Sequence, residues 1–311
     1  MNHHFLSIAD LTGEQIVKVL DLADEVPVPP VLAGRGVALV FEHPSARTRN
    51  ACEMAVVQLG GHPVAIRAEE VAIDKRETAE DVARTLACYY DIVCARVERH
   101  ATLQRMATAL DLAGSGVPVV NLLSEREHPT QALADLLTIR RHFGSLEGRT
   151  LAYVGDANNV CRSLIGAAAL TGMAVRVASP AGYQLEAPDV VWAEDLGGKL
   201  ELCDSPGDAV AGAEAIYTDV WTSMGQEDEL WARRRAFAGY TVDEALVDEA
   251  ADGAVVLHCL PAHRGEEITD AVLGGSRSLV WQQSANRMHA ARGLLRFLTE
   301  ATTPVELEDA R

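Results

Sequence analysis

Residues 36–60 read GVALVFEHPSARTRNACEMAVVQLG. The run GVALVF at 36–41 is short, apolar and rich in β-branched residues, the pattern of a strand buried on both faces. The run NACEMAVVQLG has the length and composition of a helix. Between them a serine, a threonine and two arginines crowd into residues 45–49. Strand, polar junction and helix form the unit from which parallel α/β sheets are assembled, so its repetition along the chain decides the fold.

Upstream, TGEQIVKVLDLADEV opens with Thr12 and Gln15 at capping-box spacing, and Ile16, Val19, Leu20 and Ala23 share one face, which predicts a helix. Downstream, short apolar segments at HPVAIR, DIVCARV and VPVVNLL predict strands, with helices near 47–59, 78–88 and 101–111. HPTQALADLLTIRRHFG predicts a strong helix, with Leu133, Leu136 and Leu137 on one face and Gly144 at its end. Strands are then expected at TLAYVGD, MAVRVAS, DVVWAED, AEAIYTDVW and GAVVLHCLP, and a last helix follows. The expected fold is α/β with two domains, each a mainly parallel sheet flanked by helices. The domains are placed at 1–140 and 141–284, with the helical segment 285–311 packing back on the first.

Bulk properties narrow the function classes. A chain of 311 residues can hold two sizeable cores. Its net charge of -18 speaks against general affinity for nucleic acid or an anionic membrane. Six cysteines lie without a CxxC pair, which reads as reduced thiols in a reducing compartment. The first residues lack the basic and apolar regions of a signal peptide, and no apolar run is long enough to span a bilayer. A cytoplasmic protein is expected.

Ligands of open parallel sheets bind beyond the carboxyl ends of the strands, and the polar clusters fall there. Ser45, Arg47 and Thr48 at a helix N-terminus could seat a phosphate, or be a capping serine with solvated arginines. Arg96, after DIVCA, is a site residue or a salt-bridge partner. His128 and Gln131, three apart at a helix start, could hydrogen-bond one small ligand, although a histidine there also serves as a cap. VGDANNV has one glycine rather than the G-x-G-x-x-G of a dinucleotide turn, which argues against NAD, and no P-loop occurs. Asn158 and Asn159 are turn residues or carboxylate-binding amides. Asp219 and Ser223, in TDVWTSMGQE, belong to a capped loop or receive a ligand ammonium. LHCLPAHRGEEIT crowds His258, Cys259, His263 and Arg264 together. A His–Cys pair can signal a thiol nucleophile or a metal site, but adjacent strand residues face opposite ways, which opposes chelation by both. Arg287, in NRMHAARGLL, starts the final helix.

Taken together and in this order, PSARTR, the arginine after DIVCA, HPTQALADL, GDANN, DVWTSMGQE, HCLPAHRGEEIT and NRMHA resemble the aspartate/ornithine transcarbamylase family over nearly the whole chain. DVWTSMG with HCLPAHRG is similar to its ornithine branch. The resemblance implies two α/β domains closing over a cleft, a homotrimer or a multiple of trimers, and transfer of a carbamoyl group from carbamoyl phosphate to the δ-amine of L-ornithine. The products would be L-citrulline and phosphate, within arginine metabolism, with no cofactor and no metal. It also implies roles by position. Ser45, Ala46, Arg47 and Thr48 would hold the phosphate; Arg96, His128 and Gln131 the carbamoyl group; Asn159, Asp219, Ser223 and Met224 the amino-acid end of ornithine. Cys259 and Leu260 would line the junction of the substrates, Arg287 would complete the carbamoyl phosphate site, and Arg96, His128 and Cys259 would carry the catalysis. Two departures stand out. Ala46 replaces the hydroxyl or glycine usual in the phosphate loop, and Ala72 stands where a glutamine is expected. Nearby Lys75 and Arg76 are either solvated or, as the resemblance allows, reach a neighbouring subunit's site.

Overall fold

The structure, a computed structural model, describes residues 4–222 and 227–302. These residues form two compact units, 4–125 with 288–302, and 126–287. The boundary expected at 140/141 therefore differs from the compact division at 125/126, and the helix Pro129–Phe143 groups with the second unit.

The first unit is built on four strands: β1 Gly36–Phe41, β2 His62–Arg67, β3 Ile92–Arg96 and β4 Val119–Leu123. They lie in the order β2-β1-β3-β4 and every pairing is parallel. β1 and β3 are flanked on both sides, which is why their sequences are nearly continuous apolar runs. Ala38, Val40, Val93 and Ala95 pack against Val82, Leu103 and Met106 of the covering helices Ala79–Ala87 and His100–Leu112. The N-terminal helix Gly13–Asp24 starts at the predicted capping box, with Thr12 accepting from the Gln15 amide at 3.2 Å. The C-terminal helix Val280–Thr302 packs on it through Gly293, where an added Cβ would lie 2.3 Å from the Val19 carbonyl oxygen.

The second unit carries five parallel strands: β5 Thr150–Val154, β6 Ala174–Ala178, β7 Lys199–Cys203, β8 Ala215–Thr218 and β9 Val255–His258, in the order β7-β6-β5-β8-β9. One expectation fails here. DVVWAED forms no strand; it lies in the helix Ala187–Asp195, begun by Pro188 in the first turn. The strand of that position is β7, KLELC, which escaped notice because it is an edge strand whose charged residues face water. The consecutive Val190, Val191 and Trp192 look like a strand locally, but the segment covers the sheet surface and buries only Ala193. No helix among the described residues is long and apolar enough to cross a membrane.

Registers bring the strand ends level. Phe41 pairs with Arg96, and Thr218 with His258. The segments following β1 and β3 therefore share one sheet edge, as do those following β8 and β9.

Candidate active site

In the first unit, Ser45 is the N-cap of the helix Ala46–Gln58, with extended backbone (φ -150, ψ 98) and no side-chain cap bond. The capping alternative for this serine is therefore not realised, and its hydroxyl leaves the first-turn amides to other acceptors. That turn contains no acidic residue. Ala46 and Arg47 are exposed, and Arg47 forms no ion pair among the described residues, whereas Thr48 is buried. Arg49 points to Glu53, 3.4 Å away. Arg96 ends β3, and its carbonyl accepts the Glu42 amide at 2.9 Å, tying the loop after β1 to the end of β3. Ser45, Ala46, Arg47, Thr48 and Arg96 thus stand on adjacent strand ends. Lys75 and Arg76 are exposed on a turn between Ile73 and Glu77. Arg105 grips that turn through Asp74 at 2.7 Å and also binds Glu80. Its hydrogen bond holds the Glu80 carboxyl down to about 2.

In the second unit, His128 precedes the helix Pro129–Phe143 as its N-cap but makes no side-chain cap bond. Its amide donates to Ser163 Oγ at 2.9 Å, and Ser163 donates in turn to Glu127. Glu127 is paired with buried Arg162 at 3.1 Å. Gln131, one turn along, accepts from Arg287 Nη1 at 2.6 Å. His128, Gln131 and Arg287 are all buried. None of Glu127, Arg162 and Asp135, which lie behind them, was identified from the sequence. The available signal was a charged residue among the leucines of a helix, Asp135, at i+4 from Gln131.

Beyond β8 and β9, Asp219 is buried and its oxygens are spoken for. Asn158 Nδ2 donates to Oδ2 at 2.8 Å, the Val220 amide donates to Oδ1 at 2.8 Å, and the Cys259 thiol donates to Oδ1 at 2.9 Å. Asn158 also caps the helix Asn159–Thr171, so the turn-residue alternative holds for Asn158, while Asn159 opens the first turn half-buried. Burial pushes the Cys259 thiol well up, and the adjacent Asp219 carboxylate pushes it further. The thiol therefore stays protonated and acts as a hydrogen-bond donor, which argues against a thiolate nucleophile. Leu260 follows with φ +60. Ser223 and Met224 lie outside the described residues.

Strand alternation led to the expectation that His258 and Cys259 diverge. Instead, ligand atoms of Asp219, His258 and Cys259 come within 4.8 Å of one another; β9 ends at His258, so strand alternation does not govern Cys259. The donor set does not suit a metal. His258 Nδ1 accepts from the Leu260 amide at 2.9 Å, and its Nε2 lies 3.0 Å from Glu267 Oε1, so both ring nitrogens are engaged.

Residues 3–141 match the family described as "Aspartate/ornithine carbamoyltransferase, carbamoyl-P binding domain", and residues 147–298 match its Asp/Orn binding domain. A curated ornithine carbamoyltransferase of Acidothermus cellulolyticus is 50% identical, covering 97% of this chain and 98% of that protein. The solved ornithine carbamoyltransferase of Pyrococcus furiosus superposes with a TM-score of 0.89 at 39% identity, covering 95% of this chain and 96% of that one. An anabolic ornithine carbamoyltransferase from Campylobacter jejuni gives a TM-score of 0.89 at 31% identity, covering 96% and 99%. Two parallel α/β units with polar strand ends, matched throughout by solved carbamoyltransferases, define a two-domain α/β transferase. The chain belongs to the aspartate/ornithine carbamoyltransferase family.

Proposed function

We propose that this protein transfers the carbamoyl group of carbamoyl phosphate to the δ-amine of L-ornithine, releasing L-citrulline and phosphate. The observation that carries the ornithine assignment is the buried Asp219–Cys259 pair, a carboxylate and a neutral thiol 2.9 Å apart and held by Asn158. The α-ammonium of an amino acid meets the carboxylate there as a counter-charge, and the neutral thiol offers the side-chain amine a desolvating wall. A free alkyl amine has a pKa near ~10.4, so it must shed a proton before attack, and desolvation favours the neutral form. Cys259, at the junction of the two substrates, is assigned to the reacting δ-amine; Asn159, Asp219, Ser223 and Met224 are assigned to the amino-acid end, where Asp219 receives the α-ammonium that putrescine lacks.

The phosphate of the donor is assigned to the first amides of the helix Ala46–Gln58, to the Ser45 and Thr48 hydroxyls and to Arg47. Arg96, His128 and Gln131 are assigned to the carbamoyl group, with Leu260 beside it and Arg287 completing the set. Attack forms the new C–N bond and moves charge onto the carbamoyl oxygen. Each preorganised donor to that oxygen is worth about 3–4 kcal/mol. Collapse of the intermediate breaks the C–O bond, and phosphate leaves with its charge held by Arg47 and the helix terminus. We also read the protein as a cytoplasmic homotrimer or multiple of trimers, on the strength of its family; sedimentation analysis tests the assembly.

The discriminating experiment is carbamoylation from carbamoyl phosphate with ornithine, putrescine, N-acetylornithine and aspartate offered separately. Ornithine is expected to be the preferred acceptor by at least tenfold. Preference for any other amine overturns the assignment.

A further inference from the structure

The helix Pro129–Phe143 carries one acidic side chain, Asp135, and it is completely enclosed. Its Oδ1 accepts two amide nitrogens, Gln131 Nε2 at 2.7 Å and Gln283 Nε2 at 2.6 Å. The oxygens of those two amides point away to groups that can only donate. Gln131 Oε1 takes Arg287 Nη1 at 2.6 Å, and Gln283 Oε1 takes the His258 backbone amide at 2.8 Å. One carboxylate thus stands behind Gln131 and Arg287 on one side and behind the turn that leads into Cys259 and Leu260 on the other.

We infer that Asp135 is a positioning residue: it fixes the orientation of the Gln131 and Gln283 amides and so holds the carbamoyl-side pair Gln131–Arg287 in register with the His258–Cys259–Leu260 turn. The inference rests on the carbamoyl-transfer reading of this site. An ionised carboxylate accepts only, so it selects the amide nitrogen of each glutamine and turns each oxygen outward. With Asp135 removed, either amide can flip. A flipped Gln131 sets its NH2 against the Arg287 guanidinium, donor against donor, and a flipped Gln283 does the same to the His258 N–H. Each flip leaves buried donors without acceptors.

The charged and titratable groups facing Asp135 are Arg287 from the helix Val280–Thr302, Tyr217 from β8 and Cys259 after β9. Burial is the largest influence on the carboxyl and raises it to about 7, against the pull of Gln131, Gln283, Tyr217 and Arg287. The acceptor-only form therefore prevails above neutrality. A protonated carboxyl presents an O–H donor into a site built from amide donors.

The test compares Asp135→Ala, Asp135→Asn and Gln283→Leu with the wild-type protein in citrulline formation across about pH 6–9, with folding checked by circular dichroism. Asparagine keeps one oxygen for both amides and never ionises. Asp135→Ala is expected to lose at least tenfold in kcat and to raise the KM for both substrates. Asp135→Asn, which like the protonated carboxyl sets one acceptor oxygen beside a donor, should keep a kcat between those of the wild type and Asp135→Ala and lack the decline that wild-type kcat/KM shows below about pH 7. Gln283→Leu should raise the ornithine KM while moving the carbamoyl phosphate KM less than threefold. Wild-type constants in Asp135→Ala, or an asparagine variant as impaired as the alanine one, overturn the inference. Should Asp135→Ala fail to fold, wild-type kinetics in Gln283→Leu or an acid limb retained in Asp135→Asn would also overturn it. A wild-type protein that makes no citrulline refutes the carbamoyl-transfer reading instead.

Discussion

Arg47 stands exposed on a first helical turn that has no acidic residue and no ion-pair partner among the described residues. Its charge is therefore available to an incoming anion at little desolvation cost to the free protein. One charge-assisted hydrogen bond is worth about 1.5–3 kcal/mol, so Arg47→Ala should weaken phosphate or carbamoyl phosphate binding by roughly 10- to 150-fold. Titration calorimetry reads this directly, and near-normal affinity would remove Arg47 from the seat. Asp219 has the opposite character, buried and holding three donors. Asp219→Asn keeps the shape but loses the charge and sets an NH2 against a donor. The ornithine KM should rise tenfold or more while the carbamoyl phosphate KM stays within a few-fold. Equal losses for the two substrates would show that Asp219 acts on the fold and not on the amine. These residues stood out in the sequence because ligands of open parallel sheets bind at strand ends, although each had a structural alternative there. Asp135 did not, because its importance depends on which amides it faces.

Two helices place the second unit's candidate site residues. Pro129–Phe143 begins at His128, where Pro129 occupies a position that needs no amide hydrogen, and it ends at Gly144 in the left-handed conformation (φ 83). Asn159–Thr171 begins at Asn158, whose Oδ1 accepts from Val160 and Cys161 while its Nδ2 holds Asp219. One side chain therefore caps the start of a helix and steadies the carboxylate. Asn158→Ala should cost about 0.5–2 kcal/mol of stability as a lost cap. It should also raise the ornithine KM, because Asp219 loses a donor. Thermal melting together with steady-state kinetics checks both; a lower melting temperature with unchanged ornithine kinetics would separate the cap from the site. Gly155, at φ +137, follows β5 where a Cβ would sit 3.4 Å from Thr218 Oγ1, which accounts for the lone glycine of VGDANN without any nucleotide.

For the molecule as a whole, the buried Asp135 carboxyl sets a pH dependence whose sign is definite. Its pKa rises from 3.8 to about 7 on folding, chiefly through burial. Between those values the unfolded chain has already lost the proton that the folded chain keeps, so this group lowers stability as pH rises through the window. The deficit is complete above about pH 7 and is on the order of 4 kcal/mol. Asp135→Asn, neutral throughout, should melt higher than the wild type at about pH 8 and gain much less at about pH 5, by scanning calorimetry. A gain independent of pH would place the effect in packing. A carboxylate that costs stability while aligning two substrate-side amides fits a functional residue better than a structural one.

Sequence alone determined the α/β class, the places along the chain of the strands that have covered faces, and the residue types gathered at their ends. Burial on both faces demands continuous apolar runs, and strand ends demand polar junctions; both are local patterns. It missed β7, whose edge position lets charged residues into a strand, and read Asp189–Asp195 as a strand because three bulky apolar residues happen to be consecutive. Only the tertiary structure decided which polar residues meet. The level ends of β8 and β9 bring Asp219 to Cys259, forty residues away in sequence. The return of the last helix brings Gln283 to Asp135, across 148 residues. Hydrogen bonds act over about 3 Å, and the sequence distance between partners carries no record of that separation until the sheet registers and the helix packing set it.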